Sequence, residues 1–448
     1  MTRTGFRFWF SEDDLMNTYY CWSRPAFDLL RANVLFVNNY YRSAAEVVYC
    51  GSYALFGFNP VPLSIFRFAL GVANLFVLYT FVSRISRSRE AGVIAVMLGG
   101  FHPASNDLFV DSGMLYDALA FFFYCSALSL YVKCRQEGRF PGVRQSIGIL
   151  ALSLVALNSK EIAVSFPVAL FLYELTVGWQ SSWQLPLLWK QFRLTLISVA
   201  ITLAFIVGKT TGPEALSNDA SYHPAVSLSN YLATYSRYAS EFLIYVTADA
   251  IRPWLFWALV GCILLAALLR HRVLLWASLF NVFAILPIAV IPPRGGFAFV
   301  VPLAGWLTYF AVLITWLRAK VTFRSLSLQA PSQLAVAAAI WLTILRPYSF
   351  FTREFQRPIV HREQDANREL WNSLRAILPA SVAHKKIFVR HDPMTLAYAS
   401  RFLIQLGYNV KDVVVETDRT LPHTPPPPIL YDFVIDYADG KFFLAQGE

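Results

Sequence analysis

Apolar residues run along this chain in long blocks, without the alternation of half-buried strands. The blocks lie at roughly 62–83, 91–106, 113–132, 146–158, 162–178, 194–208, 254–269, 273–291, 297–317 and 332–346, and a helix that crosses a bilayer needs ~20 such residues. Shorter blocks such as 146–158 fit re-entrant or interior helices that pack inside protein. Residues 1–60 are mixed, aromatic and polar, and hold no spanning run. The pattern predicts an all-α polytopic membrane bundle of roughly 9–11 spanning or re-entrant helices over residues 61–346.

After about residue 347 the pattern changes. Ala366, Leu370, Leu374 and Ile377 mark one face of an amphipathic helix. Lys385–Arg390 reads as a strand, and Asp392-Pro393 as an N-cap with proline at the first helical position. Gly407 is placed to close that helix. Val413–Val415 reads as a second strand, and Ile429–Asp436 and Lys441–Ala445 flank the hairpin signal Asp439-Gly440. The Pro425–Pro428 run is a stiff linker. Residues 347–448 are therefore expected to form a small soluble α/β domain, without the clustered nucleophile, base and orienter of a second enzyme.

Composition agrees with a membrane solvent: 56% of the 448 residues are hydrophobic and 15% charged, against about 25% charged in soluble domains. The net charge of +10 does not form one patch, which argues against a nucleic-acid partner. Its basic residues fall between the apolar blocks. Alternate loops carry Arg84, Arg87, Arg89; Lys133, Arg135, Arg139, Arg144; Lys190, Arg193; Arg270, Arg272; and Arg318, Lys320, Arg324, fourteen in all, against five (Lys160, Lys209, Arg237, Arg252, Arg294) in the opposite loops. The positive-inside rule puts the first set in the cytoplasm. Residues 1–60, the 104–112 loop, 209–253 and the C-terminal domain are then expected on the extracytoplasmic side of the cell membrane. Of the five cysteines, Cys21 and Cys50 are expected to be unpaired small apolar side chains, a disulfide being the alternative, and no C-x-x-C points to a metal site. The start, Met1-Thr-Arg-Thr-Gly-Phe-Arg, lacks the apolar segment of a signal peptide.

Four features are candidates for chemistry. Glu12-Asp13-Asp14 offers adjacent carboxylates beside the membrane, suited to a general base or to a divalent ion such as Mg or Mn; a solvated acidic turn is the plainer reading. The segment from His102-Pro103 to Asp117 holds Asp107, Asp111 and Asp117 and no basic residue, although Asp117 also suits the start of a helix. Asn158-Ser159-Lys160-Glu161 sets charges between two apolar blocks, where they tend to pair or to function. Arg294, among glycines before the block that begins at Phe297, can grip a phosphate with its planar fork or anchor at the interface.

Taken in order, these residues resemble one family. Asp13 and Asp14 are followed by Tyr41-Arg42-Ser43, a short aromatic helix ending Leu55-Phe56-Gly57-Phe58-Asn59-Pro60, His102-Pro103 with Asp107 and Asp117, Ser159-Lys160-Glu161, Leu172-Tyr173-Glu174 and Arg294. The series resembles the GT-C membrane glycosyltransferases, in particular the protein O-mannosyltransferase-like and tetratricopeptide mannosyltransferase-like branches, over most of residues 10–320. The resemblance implies inverting transfer from a polyprenyl-phosphate-linked sugar to a protein, lipid or glycan acceptor at the outer face. It implies Asp13 as base with Asp14 beside it, Asp107 and Asp117 as the second loop's acidic residues, Arg294 and Lys160 at the donor phosphate, and Arg42, His102 and Glu161 in support. Ser43 stands where the family has proline, and no tetratricopeptide repeats follow. The family also has a spanning helix before its acidic pair, so an apolar stretch is expected to be encoded upstream of Met1.

A transporter or lipid flippase is the main rival. It predicts charges near the bilayer midplane and repeated halves, whereas here the acidic residues gather in outer loops and no two halves resemble each other.

Overall fold

The computed structural model describes residues 9–36, 42–100, 102, 114–178, 185–211, 223–224, 226–243, 253–291, 300–320, 357–420 and 430–447. It is a helical membrane bundle followed by a small α/β domain.

Three helices come before the bundle: α1 (Glu12–Ser23), α2 (Ala26–Leu35) and α3 (Ser43–Phe56). Asn59 caps the next helix, its side chain accepting from Val61 N–H, and Pro60 occupies the first turn, where its missing donor is not needed. That helix, α4 (Pro60–Ser86), is followed by α5 (Arg89–Gly100), α6 (Leu115–Gln136), α7 (Val143–Ser159), a 3-10 turn at Glu161–Ser165, α8 (Phe166–Thr176), α9 (Leu185–Thr210), α10 (Leu228–Leu243), α11 (Pro253–Leu268), α12 (Arg272–Phe283), the single turn α13 (Leu286–Ala289) and α14 (Val300–Lys320). Among the described residues, five stretches are long and apolar enough to cross a membrane: Pro60–Ser86, Leu115–Gln136, Pro186–Thr210, Arg272–Ala289 and Val300–Lys320. Val143–Ser159 and Trp254–Leu268 are shorter apolar helices.

Helix α4 packs on α5 and α6, α6 on α7, and α14 on α5 and α12. Phe76 on α4 and Leu196, Leu203 and Val207 on α9 remain exposed, as a lipid-facing surface requires. Inside, two polar side chains show how buried groups are paired. Asn74 donates to Ala118 C=O (3.0 Å), and Arg135 meets Glu174 through Nε–Oε1 (2.8 Å) and Nη2–Oε2 (3.1 Å), with the Tyr131 hydroxyl also on Oε1.

The basic residues gather at one end. Arg84 donates to Ser129 C=O and Oγ, Gln136 to Arg84 C=O, Arg193 to Pro141 C=O, and Arg318 meets Glu90. Helix α6, 22 residues from Leu115 to Gln136, leads from Asp117 near its start to that end, a rise of ~28 Å at 1.5 Å per residue, close to the ~30 Å thickness of a bilayer's hydrocarbon core. Asp117 and the basic cluster thus lie about a membrane's thickness apart.

In the C-terminal domain, α15 (Arg357–Ile377) and α16 (Ala399–Tyr408) accompany a sheet in the order β2-β1-β3-β4, from β1 (Lys386–Val389), β2 (Val414–Thr417), β3 (Phe433–Ala438) and β4 (Lys441–Gly447). Strands β2, β1 and β3 are parallel and β4 is antiparallel. The Asp439-Gly440 turn takes positive φ at both residues, as a two-residue hairpin requires.

Several expectations are corrected. Cys21 and Cys50 form a disulfide, with Cα atoms 5.6 Å apart. The 91–106 block gives a helix of only 12 residues, Arg89–Gly100. The 162–178 block begins as the 3-10 turn and becomes α-helical only at Phe166. Asp392 caps no helix: α16 starts at Ala399, and the Asp392 carboxylate instead accepts from Met394 N–H and Ser400 Oγ–H. Gly407 lies inside α16, where a Cβ would run into the Trp371 ring; left-handed Asn409 ends the helix. On α15, Leu370 and Leu374 are buried as expected, but Ala366 is exposed and Gln364 and Asn367 are buried. The 332–346 block and Pro425–Pro428 lie outside the described residues.

Candidate active site

The three N-terminal carboxylates do three different things. Asp14 closes a capping box, accepting from Ser11 N–H (2.9 Å) while Ser11 Oγ accepts from Asp14 N–H (3.2 Å), and it also receives the Tyr49 hydroxyl (3.1 Å). Glu12 turns to the C-terminal domain, accepting from Thr395 N–H (2.8 Å) and Leu396 N–H (2.6 Å). Asp13, between them, is exposed and has no hydrogen-bond partner among the described residues. Of the three residues only Asp13 is exposed; Glu12 and Asp14 are buried, so the segment is not a wholly solvated acidic turn.

Around Asp13 the fold assembles two motifs that are far apart in sequence. Arg42, just ahead of α3, meets Glu161 through Nε–Oε1 (3.3 Å) and Nη2–Oε2 (3.2 Å) and lies over the Tyr116 ring, 4.8 Å from its centroid. Lys160, between α7 and the 3-10 turn, meets Asp117 at 3.0 Å. Ser43 Oγ contacts Asn33 Oδ1 (3.1 Å) and Asn158 Oδ1 (3.2 Å), and Asn158 donates to Asn33 C=O. A proline at position 43 could not make these contacts, so the serine ties the Arg42-Ser43 and Asn158–Glu161 segments together. Asp117 combines the two readings of the sequence: it stands in the first turn of α6 and pairs with Lys160.

The charges act on one another. Protein crowded around Asp13 desolvates it enough to raise its pKa although the side chain meets solvent; Asp14 and Glu12 add to this, and Arg42 and Lys160 oppose it. For Glu161, burial pushes upward but Arg42 and then Lys160 outweigh it, leaving the carboxyl below its ordinary range. A buried carboxylate is kept ionised by such partners.

Three further residues belong here that sequence reasoning did not select. Tyr116 stacks under Arg42. Glu46, one turn along α3 from Arg42, is buried, and burial lifts its carboxyl to about 7 against the lowering effects of Arg24, Lys209 and Arg42. Lys209 lies in the last turn of α9, close enough to act on Glu46, and is part of a spanning helix, not a loop. The i, i+4 spacing of Arg42 and Glu46 was the one available signal. His102 is buried beyond the end of α5, its N–H on Gly99 C=O. Asp107, Asp111 and Arg294 lie outside the described residues. Among the described residues no group of three or more His, Cys, Asp or Glu side chains could hold a metal ion.

The arrangement offers an accessible carboxylate beside two cations, each balanced by a carboxylate, where spanning helices reach one end of the bundle. No curated protein matches the chain. Residues 47–206, which include Asp117, Lys160 and Glu161 but not Asp13 or Arg42, match the model of the dolichyl-phosphate-mannose-protein mannosyltransferase family, and this match points to a membrane glycosyltransferase of the mannosyltransferase type.

Proposed function

We propose that the protein moves a sugar from a polyprenyl-phosphate donor to an acceptor hydroxyl at the outer face of the membrane, with inversion and with Asp13 as base. One observation carries this reading: among the described residues Asp13 alone of the three carboxylates is left unengaged, and it lies within electrostatic reach of Arg42 and Lys160, the cations of the Arg42–Glu161 and Lys160–Asp117 pairs. The acceptor oxygen bonds to the anomeric carbon, the bond from that carbon to the phosphate oxygen breaks, and the hydroxyl proton passes to Asp13. A carboxylate in this role is worth ~10²–10⁴ in rate. The departing lipid phosphate needs positive charge where its own charge develops; Lys160 and Arg294 supply it in this reading, with Lys209 as a third cation. Arg42 holds Glu161, and the lipid-facing surfaces of α4 and α9 suit a polyprenyl chain. The match to a glycosyltransferase family does not favour a transporter.

The test uses purified full-length protein, a panel of polyprenyl-phosphate sugars including dolichyl-phosphate mannose, and membrane extracts as acceptors, with products read by mass spectrometry. A mass increase of one hexose on an acceptor, lost in Asp13→Asn, supports the reading. Sugar release or transfer that is unchanged in Asp13→Asn overturns it.

A further inference from the structure

Among the described residues the Asp13 carboxylate has no hydrogen-bond partner of its own, and it sits in the first turn of a helix, the part most prone to fray. Its position must come from its neighbours. Asp14 supplies one anchor within the N-terminal segment, through Ser11 and Tyr49. The other anchor comes from more than 380 residues away: Glu12 receives two backbone N–H groups from the loop after β1. The same domain surrounds α1 with further contacts. Asn367 donates to Phe10 C=O (3.2 Å), Glu12 N–H donates to Glu363 Oε1 (3.1 Å), and Tyr19 stacks on Phe402 with ring centroids 4.0 Å apart. Tyr398, whose hydroxyl donates to Met16 Sδ (3.1 Å), is close enough to feel the Asp13 charge.

We propose that Glu12 is a positioning residue: by gripping Thr395 and Leu396 it uses the C-terminal domain to hold the first turn of α1, and with it Asp13, against the charged cluster. This rests on Asp13 acting as base. The C-terminal domain is then a working part of the site. Glu12 never touches the reacting atoms, and its two charge-assisted hydrogen bonds are of the stronger kind. Its substitution lowers turnover far more than donor affinity.

The experiment follows release of dolichyl phosphate from dolichyl-phosphate mannose by full-length protein in native membranes, across pH. Glu12→Gln keeps the side chain's shape but not its charge. Thr395→Pro keeps Glu12 and removes one donor, and Thr395→Ala, at an exposed side chain, keeps the donor. Glu12→Gln and Thr395→Pro are expected to lose tenfold or more in kcat with donor KM within about twofold, and Thr395→Ala to match wild type. Glu12→Gln also removes a negative neighbour of Asp13, so the acid limb of its kcat profile moves to lower pH, which loss of folded protein alone would not cause. Wild-type kcat in Thr395→Pro, or an unshifted acid limb in Glu12→Gln, overturns the positioning role while an inactive Asp13→Asn leaves the base in place. Wild-type turnover in Asp13→Asn overturns the base and the positioning with it.

Discussion

Arg42 and Glu161, 119 residues apart in sequence, meet through two N–H···O contacts of 3.3 and 3.2 Å. Both side chains are largely enclosed, at 10% and 23% exposure. Removing one partner of such a pair strands the other charge, at a cost of ~3 kcal/mol or more when fully buried, and somewhat less here because Glu161 keeps some solvent. Arg42→Ala is therefore expected to lower the unfolding midpoint in detergent by several degrees. Arg42→Lys should recover only part of this, since an ammonium lacks the fork and stacks poorly on Tyr116. Glu161→Gln in the Arg42→Ala background should add little, and full additivity of the two losses would show that the residues do not interact.

The acidic pair separates in the same kind of measurement. Asp14→Asn disturbs a capping box, worth ~1 kcal/mol, and the Tyr49 contact, so thermal stability falls and turnover falls modestly. Asp13→Asn leaves stability unchanged and abolishes turnover. Burial raises the Asp13 pKa, and the base works only when ionised, so wild-type turnover should fall on acidification with a limb above the ~3.9 of an ordinary aspartate. A limb at or below that value would show that Asp13 is not the group being titrated.

Glu46 gives a pH dependence of the opposite kind, in stability. Its carboxyl lies at about 7 in the folded protein and near ~4.3 when unfolded. Between those values the folded state binds the extra proton, so stability from this group falls as pH rises, and the loss is complete above about 7. The total is on the order of 3 kcal/mol. Glu46→Gln should remove the dependence and unfold at a higher temperature than wild type at pH 8, with little difference at pH 4.5. A midpoint at pH 8 equal to or below that of wild type would mean that Glu46 is stabilised by its cations.

The sequence revealed the bundle because apolar blocks of spanning length have few other uses, and the C-terminal strands because Asp439-Gly440 fixes their hairpin. It revealed Asp13, Lys160 and Glu161 as charges beside apolar blocks, but not their partners. That Lys160 chooses Asp117 and Arg42 chooses Glu161 depends on how α3, α6 and α7 meet, which periodicity does not encode. Glu46 is not singled out and Lys209 counts only as a loop charge, because each looks like an ordinary polar residue at its own place in the chain. The disulfide ranks only as the alternative for a related reason: without knowing that α1 and α3 pack together, nothing in the sequence brings Cys21 and Cys50 to each other.

Helix α6 connects two ends of the bundle, one holding Asp117 with Lys160 and Arg42, the other Arg84, Arg135 and Arg318. Lys190 and Arg193 near the start of α9 and Lys209 at its end repeat the relationship, as do Arg144 and Lys160 for α7. The end with the many basic residues is expected in the cytoplasm. The C-terminal domain contacts α1 through Glu12, so it should lie on the opposite side, where the Cys21–Cys50 disulfide would also persist. Two introduced cysteines test this. Asp439→Cys stands at the exposed hairpin tip and Glu137→Cys in the exposed turn after α6. A membrane-impermeant maleimide added to intact cells should label Asp439→Cys at once and Glu137→Cys only after the membrane is opened. The reverse pattern would turn the molecule over and put Asp13 in the cytoplasm. Labelling of both in intact cells would mean that the bundle does not separate its two ends across the bilayer.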